Sequence, residues 1–165
     1  MLRRKRRPAP SLRSPAPGIG ARALATVNSS RNSGARSPRS SGHCLCEGVR
    51  YEIAGELAQP IACHCTQCAR TSGNFAAMAA CRTVDLRLLS SSTLRWYRSS
   101  DKAERGFCSR CGSNLFWRAA PGSETFVAAG TLDPPTGLRL SKHIFVGSKS
   151  DFYDLTDGLP QEREG

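Results

Sequence analysis

The sequence predicts a mostly β domain of short antiparallel strands, held together by metal and preceded by a disordered basic tail. Three observations predict it. Short apolar segments recur between turn signals, and no segment carries ten or more residues of clean helical period. All eight cysteines fall between residues 44 and 111, in pairs and a triplet at metal-ligand spacing. A chain of 165 residues with 39% hydrophobic and 7% aromatic residues has a small core, for which a bound metal is the available reinforcement.

Val49–Ile53 (VRYEI) alternates apolar and polar residues, as a half-buried strand does. Phe75–Cys81 (FAAMAAC) is an apolar run of small residues that reads as a buried strand, with a short helix as the rival. Leu86–Leu89 fits a strand or a loop. Leu94–Arg98, Leu115–Arg118, Thr125–Ala129 and His143–Val146 read as four more strands. Turn signals separate them: Ser90–Ser92, Pro121-Gly122, Asp133-Pro134-Pro135 and Gly137. Trp96, Phe107 and Trp117 are assigned to the core, and Asp133 and Asp151 to turns or caps.

The net charge of +11 belongs almost wholly to one end. Residues 1–42 hold ten Lys or Arg and no acid; the rest of the chain holds fourteen against thirteen. Total charge therefore argues for no nucleic-acid surface on the domain. Residues 1–41, rich in Pro, Ser and Arg and nearly free of large apolar side chains, bury too little to order themselves. This tail fits a mitochondrial transit peptide, a nuclear address (RRKRR), a nucleic-acid-binding arm, or a functionless extension. No apolar run suits a secretory signal or a membrane span. The expected compartment is the cytoplasm, or the mitochondrion if the tail is a transit peptide.

Residues 42–165 form the expected domain, and its cysteines divide by spacing. Cys44 and Cys46 form a Cys-Xaa-Cys pair; Cys108 and Cys111 form a Cys-Xaa-Xaa-Cys pair followed at once by Gly112, as in a metal knuckle. Together they supply four thiolates, a closed tetrahedral zinc site; a redox dithiol at Cys108/Cys111 is the alternative. Cys63, Cys65 and Cys68 supply three more. Either solitary Cys81 completes a second closed site, or three thiolates hold a zinc with an open position for water or substrate. The open site is the favoured reading, because Cys81 ends an apolar run where buried free cysteine is common. His64, flanked by two ligands, is read as a spacer or supporting group. An open thiolate-rich zinc suits the binding and deprotonation of a substrate thiol, which can then add to an aldehyde.

GHCLCEGVRYEI, IACHCTQCARTSG, ERGFCSRCGSNLFW and AGTLDPPTGLRLSKHIFVGSKSDFYDLTDGLPQ, in that order, resemble the glutathione-dependent formaldehyde-activating enzyme family, which shares its domain with centromere protein V. The resemblance covers nearly all of residues 42–161. It implies a β-tent fold and two zinc ions: a structural one on Cys44, Cys46, Cys108 and Cys111, and a catalytic one on Cys63, Cys65 and Cys68. Cys81 matches no ligand position in the pattern. The implied activity is that of a carbon–sulfur lyase, making or splitting S-(hydroxymethyl)glutathione, with a small thiol and an aldehyde as partners. At Ala69-Arg70 the chain departs from the commoner pair of basic residues. Arg70 and Arg105 are candidates to contact a substrate carboxylate. The alternative is a non-catalytic zinc module whose basic tail touches nucleic acid or another partner.

Overall fold

A computed structural model describes residues 39–165. The basic tail expected over residues 1–41 lies, up to residue 38, outside the described residues. Ten strands make two sheets. The small one pairs β1 (Ser40–His43), β2 (Arg50–Ile53) and β5 (Leu86–Ser90) in the order β1-β2-β5, all antiparallel. The large one contains β3 (Ile61–Cys63), β4 (Ala76–Arg82), β6 (Leu94–Ser100), β7 (Ala103–Cys108), β8 (Asn114–Ala119), β9 (Glu124–Ala128) and β10 (Lys142–Ile144). Its order is β10-β3-β4-β9-β8-β7-β6, antiparallel except where β10 runs parallel to β3. The mostly β expectation holds, and the FAAMAAC run is a strand rather than a helix.

Three strands have no legible signal in the sequence, each for its own reason. β3 has only three residues, too few to show a period. The polar residues of β1 are held extended by the ladder to β2, Ser40 facing Ile53 and His43 facing Arg50. β7 contains Gly106, which a strand seldom favours. Here a Cβ would come within 3.0 Å of the Phe116 ring and 3.1 Å of the Trp96 ring, so glycine is what lets two aromatics close over the strand. Those rings stack at 6.0 Å, and the Arg118 guanidinium lies 4.0 Å above Trp96.

One short helix, α1 (Thr66–Ser72), follows β3. Cys65 is its N-cap, its Sγ accepting the Cys68 N–H at 3.4 Å, and Gly73 ends it in the left-handed conformation. The core joins the sheets through Val49, Tyr51, Ile53, Leu94, Leu115, Phe116, Val127 and Leu132, with Cys44, Cys81 and Cys108 among them. Tyr51 is fully buried and keeps its hydroxyl satisfied at 2.7 Å from Thr131 Oγ1. The C-terminal segment docks on the outer edge of β10: His143 donates to Pro160 O, Glu162 to His143 O and Val146 to Glu162 O. The strand expected to run to Val146 stops at Ile144, because Phe145 turns the chain with φ 57° and ψ 36°.

Candidate metal centres

The two knuckles predicted from spacing meet. The sulfurs of Cys44, Cys46, Cys108 and Cys111 all lie within 4.8 Å of one another. Cys46 Sγ is 3.6 Å from both Cys44 Sγ and Cys108 Sγ. A zinc–sulfur bond of about 2.3 Å gives a tetrahedron with edges of about 3.8 Å, so four thiolates at this spacing fit zinc. Short local bonds shape the site. Glu47 donates to Cys44 O, Val49 N–H points at Cys44 Sγ at 3.3 Å, and Gly112 donates to Cys108 O with φ 75°. That positive φ is why glycine follows the second cysteine. The Ser113 hydroxyl and backbone draw the Cys111 thiol down to about 5, which favours the thiolate a metal needs. Cys44 and Cys108 are fully buried in the core, and Cys46 and Cys111 are partly buried against it.

Cys63, Cys65 and Cys68 also converge within 4.8 Å, and no fourth side chain joins them among the described residues. Cys81 stands in neither group. It is buried in the core, its thiol donates to Thr125 O at 3.4 Å, and burial pushes it up to about 11, with Asp85 and Glu124 adding to the effect. Cys68 is lowered to about 6. The hydrogen bond from Cys63 does most, Cys65 and the neighbouring Arg105 add to it, and burial opposes it. Cys63, on the giving side of that hydrogen bond and partly buried, is raised. The thiolate therefore forms most readily at Cys68, and three soft sulfurs suit zinc.

These three cysteines line a cavity of about 270 Å³. Arg105 lines it too, its Nη2 donating to Gln67 Oε1 at 3.2 Å and lying 3.8 Å from Cys68 Sγ. Its Nε is buried without a hydrogen-bond partner among the described residues. Arg70, the other candidate, is exposed in the last turn of α1 and does not line the cavity. Trp117, expected in the core, is a cavity wall, because on β8 it pairs with Arg105 on one side and Phe126 on the other, and all three present the same sheet face.

Strand alternation sends the next residues the other way. Ala62 pairs with His143, and beside them His64 and His143 are buried, at 1% and 2% exposure. Tyr153 Oη lies 2.6 Å from His64 Nδ1, His64 Nε2 lies 2.8 Å from His143 Nδ1, and His143 Nε2 lies 2.9 Å from an Asp157 carboxylate oxygen. With both rings neutral, one assignment satisfies every group: Tyr153 donates to His64, His64 to His143, and His143 to Asp157. Burial keeps His64 below its ordinary value, as do the neighbouring His143 and Lys149. Sequence reasoning gave His64 a supporting role but left Asp157 unassigned; nothing local links residues 64, 143 and 157. Asp133, read as a turn residue, accepts from Ser41 Oγ at 2.5 Å and faces His43 at 3.2 Å, tying its loop to β1.

The family model described as glutathione-dependent formaldehyde-activating enzyme matches residues 39–148. The chain belongs to this family. A relative from Schizosaccharomyces pombe, named an uncharacterized lyase, is 26% identical over 121 residues, spanning 73% of this chain and 88% of its own length. A crystal structure of a Rhodobacter sphaeroides protein superposes with a TM-score of 0.50 at 27% identity, covering 59% of this chain and 91% of that one. Both cysteine groups of this formaldehyde-activating-enzyme family member, and all the residues named above as lining its cavity, fall inside the matched span. Tyr153 and Asp157 lie beyond it. Among the described residues no helix is long and apolar enough to cross a membrane.

Proposed function

We propose that this protein is a zinc-dependent carbon–sulfur lyase acting on thiol–aldehyde adducts, with its two sheets read as the β-tent of the family. The carrying observation is the unequal setting of the two cysteine groups. Four sulfurs sit at the core, two of them on buried cysteines and two on partly buried ones packed against it, whereas three line a cavity a small molecule can enter. On this reading Cys44, Cys46, Cys108 and Cys111 hold a structural zinc, and Cys63, Cys65 and Cys68 a catalytic one. When bound to three thiolates, zinc supplies an open position at which a substrate thiol is deprotonated yet stays nucleophilic.

The reaction is an addition and its reversal. A carbon–sulfur bond forms between thiol sulfur and carbonyl carbon, the carbonyl π electrons move to oxygen, and oxygen takes up the proton the thiol released. Splitting the adduct retraces these steps. Arg105 provides the cationic donor nearest the three sulfurs, suited to a carboxylate of the thiol or to the oxygen that becomes negative during addition. Gln67 steadies that guanidinium, and its own amide donates to Ser99 O at 3.2 Å. The apolar walls keep water from competing for these donors.

Metal content measured with adduct exchange tests the proposal. We expect two zinc ions per chain, and exchange between free and adducted thiol, followed by NMR, faster than the spontaneous rate. Two zinc ions with no acceleration on any thiol and aldehyde would overturn it.

A further inference from the structure

The cavity next to Cys63, Cys65 and Cys68 is built for hydrocarbon. Its floor is one face of the large sheet. Ile144 pairs with Cys63, Ile61 with Met78, and Trp117 with Phe126, so apolar side chains run from β10 across to β8 before Arg105 on β7 ends the row. Among the described residues, Gln67 and Arg105 are its only polar side chains apart from the three thiols.

Phe145 closes the wall from an improbable backbone. Its φ of 57° lies in the left-handed region, which large L residues rarely adopt and which glycine, asparagine or aspartate would occupy more easily. An aromatic kept there, beside a ligand-sized cavity, points to a use for the ring rather than for the turn. The C-terminal segment holds it in place: Phe145 N–H donates to Glu164 O at 3.4 Å, and Gly165 packs directly on the ring.

Glutathione bears two carboxylates and an ammonium, while this wall offers one guanidinium. A formaldehyde adduct adds only one hydroxymethyl group to set against the apolar lining of this 270 Å³ cavity. Resting on the lyase reading above, we propose that the cavity selects adducts of aldehydes larger than formaldehyde, branched-aliphatic or aromatic. The hydrocarbon group lies against Trp117, Phe126 and Phe145, and the polar remainder of the thiol meets Arg105. The bonds made and broken are those of the addition already described; only the aldehyde substituent changes.

The experiment holds one thiol constant and varies the aldehyde: formaldehyde, 3-methylbutanal and phenylacetaldehyde, on the zinc-loaded full chain, with spontaneous exchange subtracted. Burial of each methylene is worth about fourfold, so 3-methylbutanal should exceed formaldehyde in kcat/KM on the order of a hundredfold. Equal rates, or a preference for formaldehyde, overturn the selection and leave the lyase reading standing. If no aldehyde is processed, the lyase reading falls, and calorimetry decides the cavity's role. Binding of 3-methylbutane-1-thiol at least about tenfold tighter than ethanethiol upholds an apolar subsite beside the three sulfurs, and equal binding overturns it. Phe145→Ala and Trp117→Ala should each shrink the preference to a few-fold while two zinc ions are retained. A preference unchanged in both overturns the assignment of these walls.

Discussion

The two cysteine groups use the same ligand atom but are drawn from the chain and set in the fold differently. Cys44 and Cys108 are buried in the core with Cys46 and Cys111 partly buried against them; half-buried Cys63 and Cys65 and buried Cys68 line a cavity. The first group draws its sulfurs from two segments 62 residues apart, bringing the loop before β2 against the end of β7 and the turn after it. The second draws all of its sulfurs from one turn and α1, so it closes no long loop. On the function proposed above, metal at the first would couple to folding, and metal at the second chiefly to chemistry.

The sharpest way to break this comparison is one cysteine at each centre. Cys108→Ala should abolish the cooperative fold, since structural zinc contributes on the order of 10 kcal/mol in small domains. Cys63→Ala should remove adduct exchange and leave the circular dichroism spectrum and thermal transition nearly in place. Equal unfolding of the two variants would mean that the second group is structural as well.

Chelation probes the same contrast without mutation. Titration with a zinc chelator should release metal in two phases, one ion leaving with the fold intact and the second leaving with it. A colorimetric zinc indicator and circular dichroism, recorded together, check this; single-phase release coincident with unfolding would contradict it.

Arg105 sharpens the comparison from the electrostatic side. Removing its charge in Arg105→Met should cost about 10–100-fold in kcat/KM, the size of one hydrogen bond to a charged group. Arg105→Lys should recover only part of this, because a flexible lysine ammonium does not reproduce the planar guanidinium whose Nη2 meets both Gln67 Oε1 and Cys68 Sγ. In metal-free protein the Cys68 thiol, held near 6, should rise in Arg105→Met, so that its alkylation rate saturates at higher pH than in wild type.

The smallest effect concerns the support behind the second centre. His143→Ala leaves His64 Nε2 buried without its partner and should cost about 1–3 kcal/mol in urea unfolding. Asp157→Asn should cost less, since that carboxylate is partly exposed. The Asp157 carboxyl is held below the usual carboxylate range by the backbone N–H of Leu159 and by His143. A depressed acid contributes stability that is present above its unfolded value and lost as pH falls through its folded value. The Asn variant should lack that acid dependence, and amide exchange at residues 160–164 should report the loosened segment.

VRYEI was legible from its alternation, because the period of two is a local property, and the other legible strands from short apolar or aromatic runs bounded by turn residues. The strands missed were too short to show a period (β3), extended only because a neighbour pairs with them (β1), or interrupted by a glycine that packing requires (β7). The cysteine groups were legible for a similar reason: the two- and three-residue spacings that let sulfurs share an ion are written in the turn itself.

The sequence by itself determined the mostly β class, the division of seven cysteines into four and three, and the isolation of Cys81 in an apolar run. Only the tertiary structure decided which face each residue serves. It put Trp117 and Arg105 on a cavity, left Arg70 outside it, and joined His64 to His143 and Asp157 across 79 and 14 residues of chain. Pairing between strands so distant depends on how the whole chain closes around its core. No short window of sequence carries that information, since a shift of one residue in register would turn every one of these side chains to the opposite face.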